Sequence, residues 1–287
     1  MQYAAPQTVE AAIDLLTSHE GAHVLAGGTD LLVQLRSDRV APEVIVDIKR
    51  IDGMKSIRDD SGGFRIGAAV SAAEITEHAG LGAAWPGLVE AAGLIGSTQV
   101  QGRATIVGNL CNASPAADTT PALIAAGARI VISGPTGTRE IPAEEMTTGP
   151  GRTTLAKGEL VEAVRLPTRA ARSGDAYLRF IPRTEMDIAV VGAGVSLSFD
   201  DAGMCQAARV ALGAVAPKAV LVADAAAALI GTAIDDAALE QLAQACAAAC
   251  NPIDDKRGTI EFRTQVAGVL AKRAAVAAKE RAFAAQK

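Results

Sequence analysis

The 287-residue sequence has only four cysteines and three histidines, and neither set is arranged for chemistry. Cys111, Cys205, Cys246 and Cys250 are scattered, and only Cys246 and Cys250 stand one helical turn apart. A metal or iron–sulfur site needs further ligands nearby. The cysteines therefore read as small buried hydrophobes of a reducing cytosol. His19, His23 and His78 form no triad or ligand pair. No apolar run approaches the roughly 20 residues of a membrane span. The opening MQYAAPQTVEAA has neither the basic nor the apolar region of a signal peptide, so a cytoplasmic location is expected. A net charge of −5 without a basic cluster argues against nucleic acid as a partner. Nucleophile–base pairs and paired carboxylates, the usual marks of a self-sufficient catalyst, are also missing.

What is present is the composition of a folded core, 49% hydrophobic and 21% charged residues, in a chain long enough for two domains or one large one. The most unusual stretch is Thr105 to Leu123, TIVGNLCNASPAADTTPAL. Its one formal charge, Asp118, sits among Thr105, Asn109, Asn112, Ser114, Thr119 and Thr120. Neither strand alternation nor helical period shows until its end, so the pattern predicts an irregular loop. A buried loop must satisfy its backbone donors and acceptors, and a large polar ligand would do so. Thr120 as cap and Pro121 at the first helical position would start the helix that follows. Asp118 would then be free to accept hydrogen bonds from a ligand such as a ribose. The other reading is that Asp118 itself caps that helix.

A second loop, Leu25-Ala26-Gly27-Gly28-Thr29-Asp30-Leu31, lies between an expected strand (His23 to Leu25) and an expected helix, LLVQLR. Paired glycines allow positive φ and close backbone approach. Successive N–H groups and the helix start can then form an anion nest. A plain tight turn is the alternative. Asp30 would be repelled by phosphates, so it is expected to cap the helix.

The remaining pattern predicts a first helix from Val9, capped by Thr8, and a strand at Val44–Ile48. Another strand follows at Phe64–Ala68, then a helix capped by Ser71 or Thr76. A helix from Pro86 to about Gly93 precedes strands at Arg129–Ile132 and Gly158–Leu166. The polar Pro167–Asp175 stretch marks a domain boundary. Beyond it, Val191–Phe199 and Ala207–Gly213 read as a small antiparallel sheet, followed by helices at Val220–Gly231, Asp236–Cys250 and Ile260 to about Ala284.

The pair AGGTDLL and GSTQVQGRATIVGNLCNASPAADTTPAL resembles the FAD-binding medium subunit of the molybdenum hydroxylases, the family of xanthine dehydrogenase and carbon monoxide dehydrogenase. The resemblance extends to Tyr177–Arg183 with Asp187-Ile188-Ala189, and to the Asp254–Arg257 and Phe262-Arg263 ending. It departs at Val107, where a glycine is usual, at Gln101-Gly102, where an Arg–Asn pair is usual, and at Arg179, where lysine is usual. The resemblance implies an α+β fold. A two-lobed α/β FAD-binding domain over 1–172 (lobes about 1–56 and 57–172) would precede a C-terminal domain of antiparallel sheet and helices over 173–287.

By the same resemblance, Ala26, Gly27, Gly28, Thr29, Asp30 and Leu31 would cradle the pyrophosphate of FAD. Thr105, Ile106, Gly108, Asn109 and Asn112 would line the ribityl and isoalloxazine region, with Ser114 and Asp118 on polar groups of the dinucleotide. Ile95 and Leu160 would contact the ring. Arg179 would lie near the redox-active edge; the alternative is a surface arginine on an edge strand. The molybdopterin cofactor would belong to a large partner subunit and the 2Fe–2S clusters to a small one, in a dimer of heterotrimers. NAD, a quinone or oxygen would take the electrons. A stand-alone flavin oxidase and a flavin-free assembly subunit are the rival readings.

Overall fold

The computed structural model describes residues 1–183 and 186–284. Residues 184–185 and 285–287, within the expected C-terminal domain, lie outside the described residues.

The chain opens with β1 (Gln2–Ala4) and α1 (Val9–Ser18), whose first turn is closed by the Thr8 side chain accepting from Ala11 N at 3.2 Å. β2 (Ala22–Leu25), α2 (Leu31–Arg36) and β3 (Val44–Asp47) follow. β3 is buried along its whole length and pairs in parallel with both β1 and β2, giving a three-stranded sheet. This is the expected βαβ lobe with an added strand, β1. Three residues long and at the sheet edge, β1 is too short for alternation to reveal.

The second lobe is a five-stranded antiparallel sheet. Its strands are β4 (Ile57–Asp60), β5 (Gly63–Gly67), β6 (Arg129–Gly134), β7 (Gly137–Pro142) and, after the small hairpin β8 (Thr147–Gly149) and β9 (Arg152–Thr153), β10 (Leu160–Leu166). The order is β4-β5-β10-β6-β7. Between β5 and β6 run six short helices: α3 (Ala72–Glu77), α4 (Ala79–Ala84), α5 (Pro86–Gly93), α6 (Thr98–Gln101), α7 (Ile106–Cys111) and α8 (Thr119–Ala125). Ser71 starts α3 through a full capping box with Glu74.

The polar stretch is where expectation and structure part. Instead of one irregular loop it holds α7, an intervening turn and α8. Thr105 caps α7 by accepting from Gly108 N at 2.8 Å, and Ile106, Val107 and Leu110 bury its inner face. Six residues are under two turns, too few for a period to show. α8 begins one residue before the expected Thr120 cap. Asp118 holds the cap position without capping, and Pro121 falls inside the first turn, where proline is tolerated.

The C-terminal domain is an antiparallel sheet of β11 (Ser173–Phe180), β12 (Val191–Phe199), β13 (Cys205–Gly213) and β14 (Val220–Leu221), in that order. α9 (Ala223–Ala227), α10 (Asp236–Ala248) and α11 (Ile260–Ala284) cover it. The helix expected from Val220 starts only at Ala223, because Val220 and Leu221 pair with Leu212 and Ala211 as β14. α11 lies flush on β11: a Cβ on Gly174 would sit 1.9 Å from the Ala278 carbonyl oxygen. Buried Arg263 fixes the start of α11 by donating to Asp255 Oδ1 at 2.7 Å and to the Val190 carbonyl at 2.8 Å.

Candidate functional site

A cleft of ≈ 230 Å³ opens between the two lobes of the first domain. That is below the roughly 300–1,000 Å³ of sites enclosing small ligands, so an elongated ligand would lie partly along its open mouth.

One wall is the turn from β2 into α2. Gly28 has φ +82°, the left-handed region that favours glycine. Gly27 is needed for a different reason: a Cβ there would stand 2.0 Å from the Arg103 carbonyl oxygen. The two lobes thus meet backbone to backbone at Gly27. Among the described residues, none of the amide N–H groups from Gly27 to Leu31 donates to a protein acceptor. Five consecutive free donors beside a cleft are the nest expected for an anion.

The facing wall is built from Ile95, from Ala104 and Thr105 leading into α7, from Val107, Gly108, Asn109, Cys111 and Asn112, and from Leu155, Leu160 and Val161. Asn112 ties the walls together. Its Nδ2 donates to Asp30 Oδ1 at 3.3 Å and its Oδ1 accepts from Gln34 Nε2 at 3.1 Å. Asp30 therefore does not cap α2 as expected; its carboxylate faces Asn112. It stays exposed by area, and desolvation by surrounding protein raises its pKa. Asn109 Oδ1 is turned back to accept from Thr119 Oγ1 at 2.7 Å. Burial pushes the Cys111 thiol up to about 12, so it stays protonated and serves as apolar wall.

Of the residues singled out from sequence, Ala26 to Leu31, Ile95, Thr105, Gly108, Asn109, Asn112 and Leu160 line the cleft. Ile106, Ser114, Asp118 and Arg179 do not. Ile106 points into the core, fully buried. Asp118 is engaged by protein: its Oδ1 accepts from the Tyr177 hydroxyl at 2.9 Å and its Oδ2 from Arg179 Nη1 at 2.8 Å. Burial raises the Asp118 carboxyl, and Arg179 and Tyr177 oppose that rise. Arg179, with its side chain 8% exposed, also donates to the Leu94 carbonyl at 3.1 Å, so it is neither a surface residue nor at the cleft. Ser114 lies in the turn between α7 and α8, where Ala214 N donates to the Pro115 carbonyl at 2.7 Å. In the second half of the polar stretch, the Pro115 carbonyl and Asp118 thus have partners in the C-terminal domain. Among the lining residues that sequence reasoning missed are Gln34, Ile48, Leu155 and Val161. Gln34, the one uncharged polar side chain in LLVQLR, was the only visible signal among them.

A row of free amides at a glycine turn, opposite a wall of Ile95, Val107, Leu155, Leu160 and Val161, suits a long ligand with an anionic middle and a flat apolar end. Residues 1–169 match the family model described as the FAD binding domain in molybdopterin dehydrogenase. The chain belongs to the FAD-binding medium subunits of the molybdenum hydroxylases. Residues 176–278 match the CO dehydrogenase flavoprotein C-terminal domain of the same subunits.

The carbon monoxide dehydrogenase medium chain of Hydrogenophaga pseudoflava is 34% identical over 278 residues, 96% of each chain. The xanthine dehydrogenase FAD-binding subunit of Escherichia coli O157:H7 is 29% identical, covering 94% of this chain and 93% of its own. A solved carbon monoxide dehydrogenase from Hydrogenophaga pseudoflava, lacking the Mo-pyranopterin moiety of its molybdenum cofactor, superposes with a TM-score of 0.93 at 35% identity over 98% of both chains. FAD is this family's cofactor on the medium subunit, and the cleft's donors and apolar wall fit it. Among the described residues, no three His, Cys, Asp or Glu side chains cluster to hold a metal, and no helix is long and apolar enough to cross a membrane.

Proposed function

We propose that this chain is the electron-transfer subunit of a molybdenum-containing hydroxylase or dehydrogenase. When bound, FAD supplies redox chemistry, accepting electrons from 2Fe–2S clusters of a small partner subunit and yielding them to NAD, a quinone or oxygen. The organic substrate would be oxidised at a molybdopterin cofactor in a large partner subunit, within a cytoplasmic dimer of heterotrimers. The medium-chain and FAD-subunit names of the relatives support the partnership.

The observation that carries the reading is the run of free amides from Gly27 to Leu31. These would hold the pyrophosphate, with the positive end of α2 behind them. Thr105, Gly108, Asn109 and Asn112 would line the ribityl and ring region, and Ile95 and Leu160 would cover the ring and keep water from it. Ser114, Asp118, Arg179 and Ile106 would act from behind these walls, by fixing the Leu94–Ile95 segment and the turn after α7. Of the titratable side chains that line the cleft, the Asp30 carboxylate is engaged by Asn112 and the Cys111 thiol stays protonated, so activation of the organic substrate is assigned to the partner subunit.

FAD bound without a covalent link should leave the precipitated protein on acid treatment and appear in the supernatant. The isolated subunit should be bleached by dithionite and reduce an artificial acceptor. It should stay oxidised with purines, aldehydes, aromatic acyl-thioesters or carbon monoxide until both partner chains are added. Rapid bleaching by any of these in the partner-free protein would refute the subunit reading in favour of an oxidase.

A further inference from the structure

The glycine turn is held from behind by three side chains that do not line the cleft. The Tyr3 hydroxyl, from β1, donates to Asp47 Oδ2 at 2.6 Å. Asp47, buried at the end of β3, accepts at Oδ1 from Lys49 N at 3.0 Å and pairs there with Lys49 Nζ at 2.8 Å. Lys49 Nζ then donates to the Ala26 carbonyl at 3.0 Å. Burial pushes the Asp47 carboxyl up, but Lys49 and Tyr3 outweigh it, so Asp47 stays a carboxylate that anchors the lysine.

An ammonium on a loop carbonyl does two things. The described peptide bonds are all trans, so a carbonyl and the N–H that follows lie in one plane and point in opposite directions. With the Ala26 oxygen fixed on Lys49, the Gly27 N–H is turned the other way, where Gly27 lines the cleft. A positive charge on the oxygen also polarises that peptide and strengthens its N–H as a donor. Lys49 itself does not line the cleft.

We propose that Lys49, held by Asp47 and Tyr3, is a positioning residue that aims the Gly27 amide at the cofactor's pyrophosphate. The inference rests on the reading of Gly27 to Leu31 as the pyrophosphate cradle.

The test is titration of the flavin-stripped full chain with FAD and with riboflavin, which lacks phosphates. Lys49→Met should weaken FAD at least about tenfold, the size of losing one charge-assisted hydrogen bond, and change riboflavin less than about twofold. Lys49→Arg should recover most of the FAD affinity. Gly28→Val is the control for the cradle itself and should weaken FAD at least as much. If Gly28→Val weakens FAD and Lys49→Met does not, the role given to Lys49 is wrong. Equal weakening of FAD and riboflavin by Lys49→Met would make Lys49 merely structural and would equally overturn the inference. Unchanged FAD binding in Gly28→Val would overturn the cradle reading beneath it.

Discussion

Removing the Asp118 carboxylate should cost folding stability and only indirectly affect flavin binding. Asp118→Leu leaves the Arg179 guanidinium, 8% exposed, without its counter-ion, and the Tyr177 hydroxyl without its acceptor. Breaking a buried pair from one side costs about 3–5 kcal/mol. Arg179 keeps the Leu94 carbonyl, which offsets part of this, while the orphaned tyrosine adds about 1–3 kcal/mol. The expected loss is about 4 kcal/mol. Replacing the whole cluster by apolar side chains removes the stranded groups, so Asp118→Leu with Arg179→Met and Tyr177→Phe should cost less than Asp118→Leu alone. Urea unfolding of flavin-free protein at neutral pH measures this, provided the slope m is unchanged across the set. Simple additivity of the three single costs would refute the coupling. A stable Asp118→Leu protein that has lost FAD affinity would return Asp118 to the ligand.

Gly27→Ala should separate the lobes, because the new Cβ meets the Arg103 backbone at 2.0 Å and backbone cannot yield as a side chain does. Overpacking of this kind costs about 1–3 kcal/mol, read as a lower melting temperature together with weaker FAD binding. Gly102→Ala, with nothing within 4 Å of its Cβ, is the harmless control, and equal behaviour of the two would sink the argument. The Asp187 carboxyl is held down at about 2, first by its hydrogen bond from Arg183 and then by Ile188 N and Arg257. Its contribution to stability is present above the unfolded value of about 3.9 and is lost as pH falls toward 2. Carboxyl NMR should show the low titration and its rise in Arg183→Gln, and an ordinary value in the parent would refute the pairing.

Local chemistry was legible in the chain and distant pairing was not. Thr8 and Ser71 announced their helices because a cap acts within three residues, and Gly28 announced a left-handed turn because so few residues adopt one. α7 was hidden by its length. Val220 looks helical beside an alanine-rich run, yet its partner Leu212 makes it a strand. The fate of Asp118 was illegible for the same reason. Its donors, Tyr177 and Arg179, lie 59 and 61 residues away, and only the pairing of domains brings them to it. A polar, nearly uncharged stretch invites a ligand as the answer to its unmet hydrogen bonds. Here the Pro115 carbonyl and the Asp118 carboxylate find their donors in protein.

The way α8 is seated bears on how the molecule comes apart. All seven of its residues are buried. Gly194 and Gly213 of the C-terminal sheet let that sheet approach Pro121 so closely that a Cβ on either would lie 2.7 Å from it. Tyr177, Ala211 and Ala219, all beyond residue 172, pack into the same hydrophobic cluster as the core of the flavin-binding lobes. A helix enclosed on every side cannot lose one neighbour and keep its surroundings dry. Cooperativity therefore runs across the domain boundary: melting the C-terminal sheet would wet α8 and the hydrophobic cluster it shares with the flavin-binding lobes in the same event.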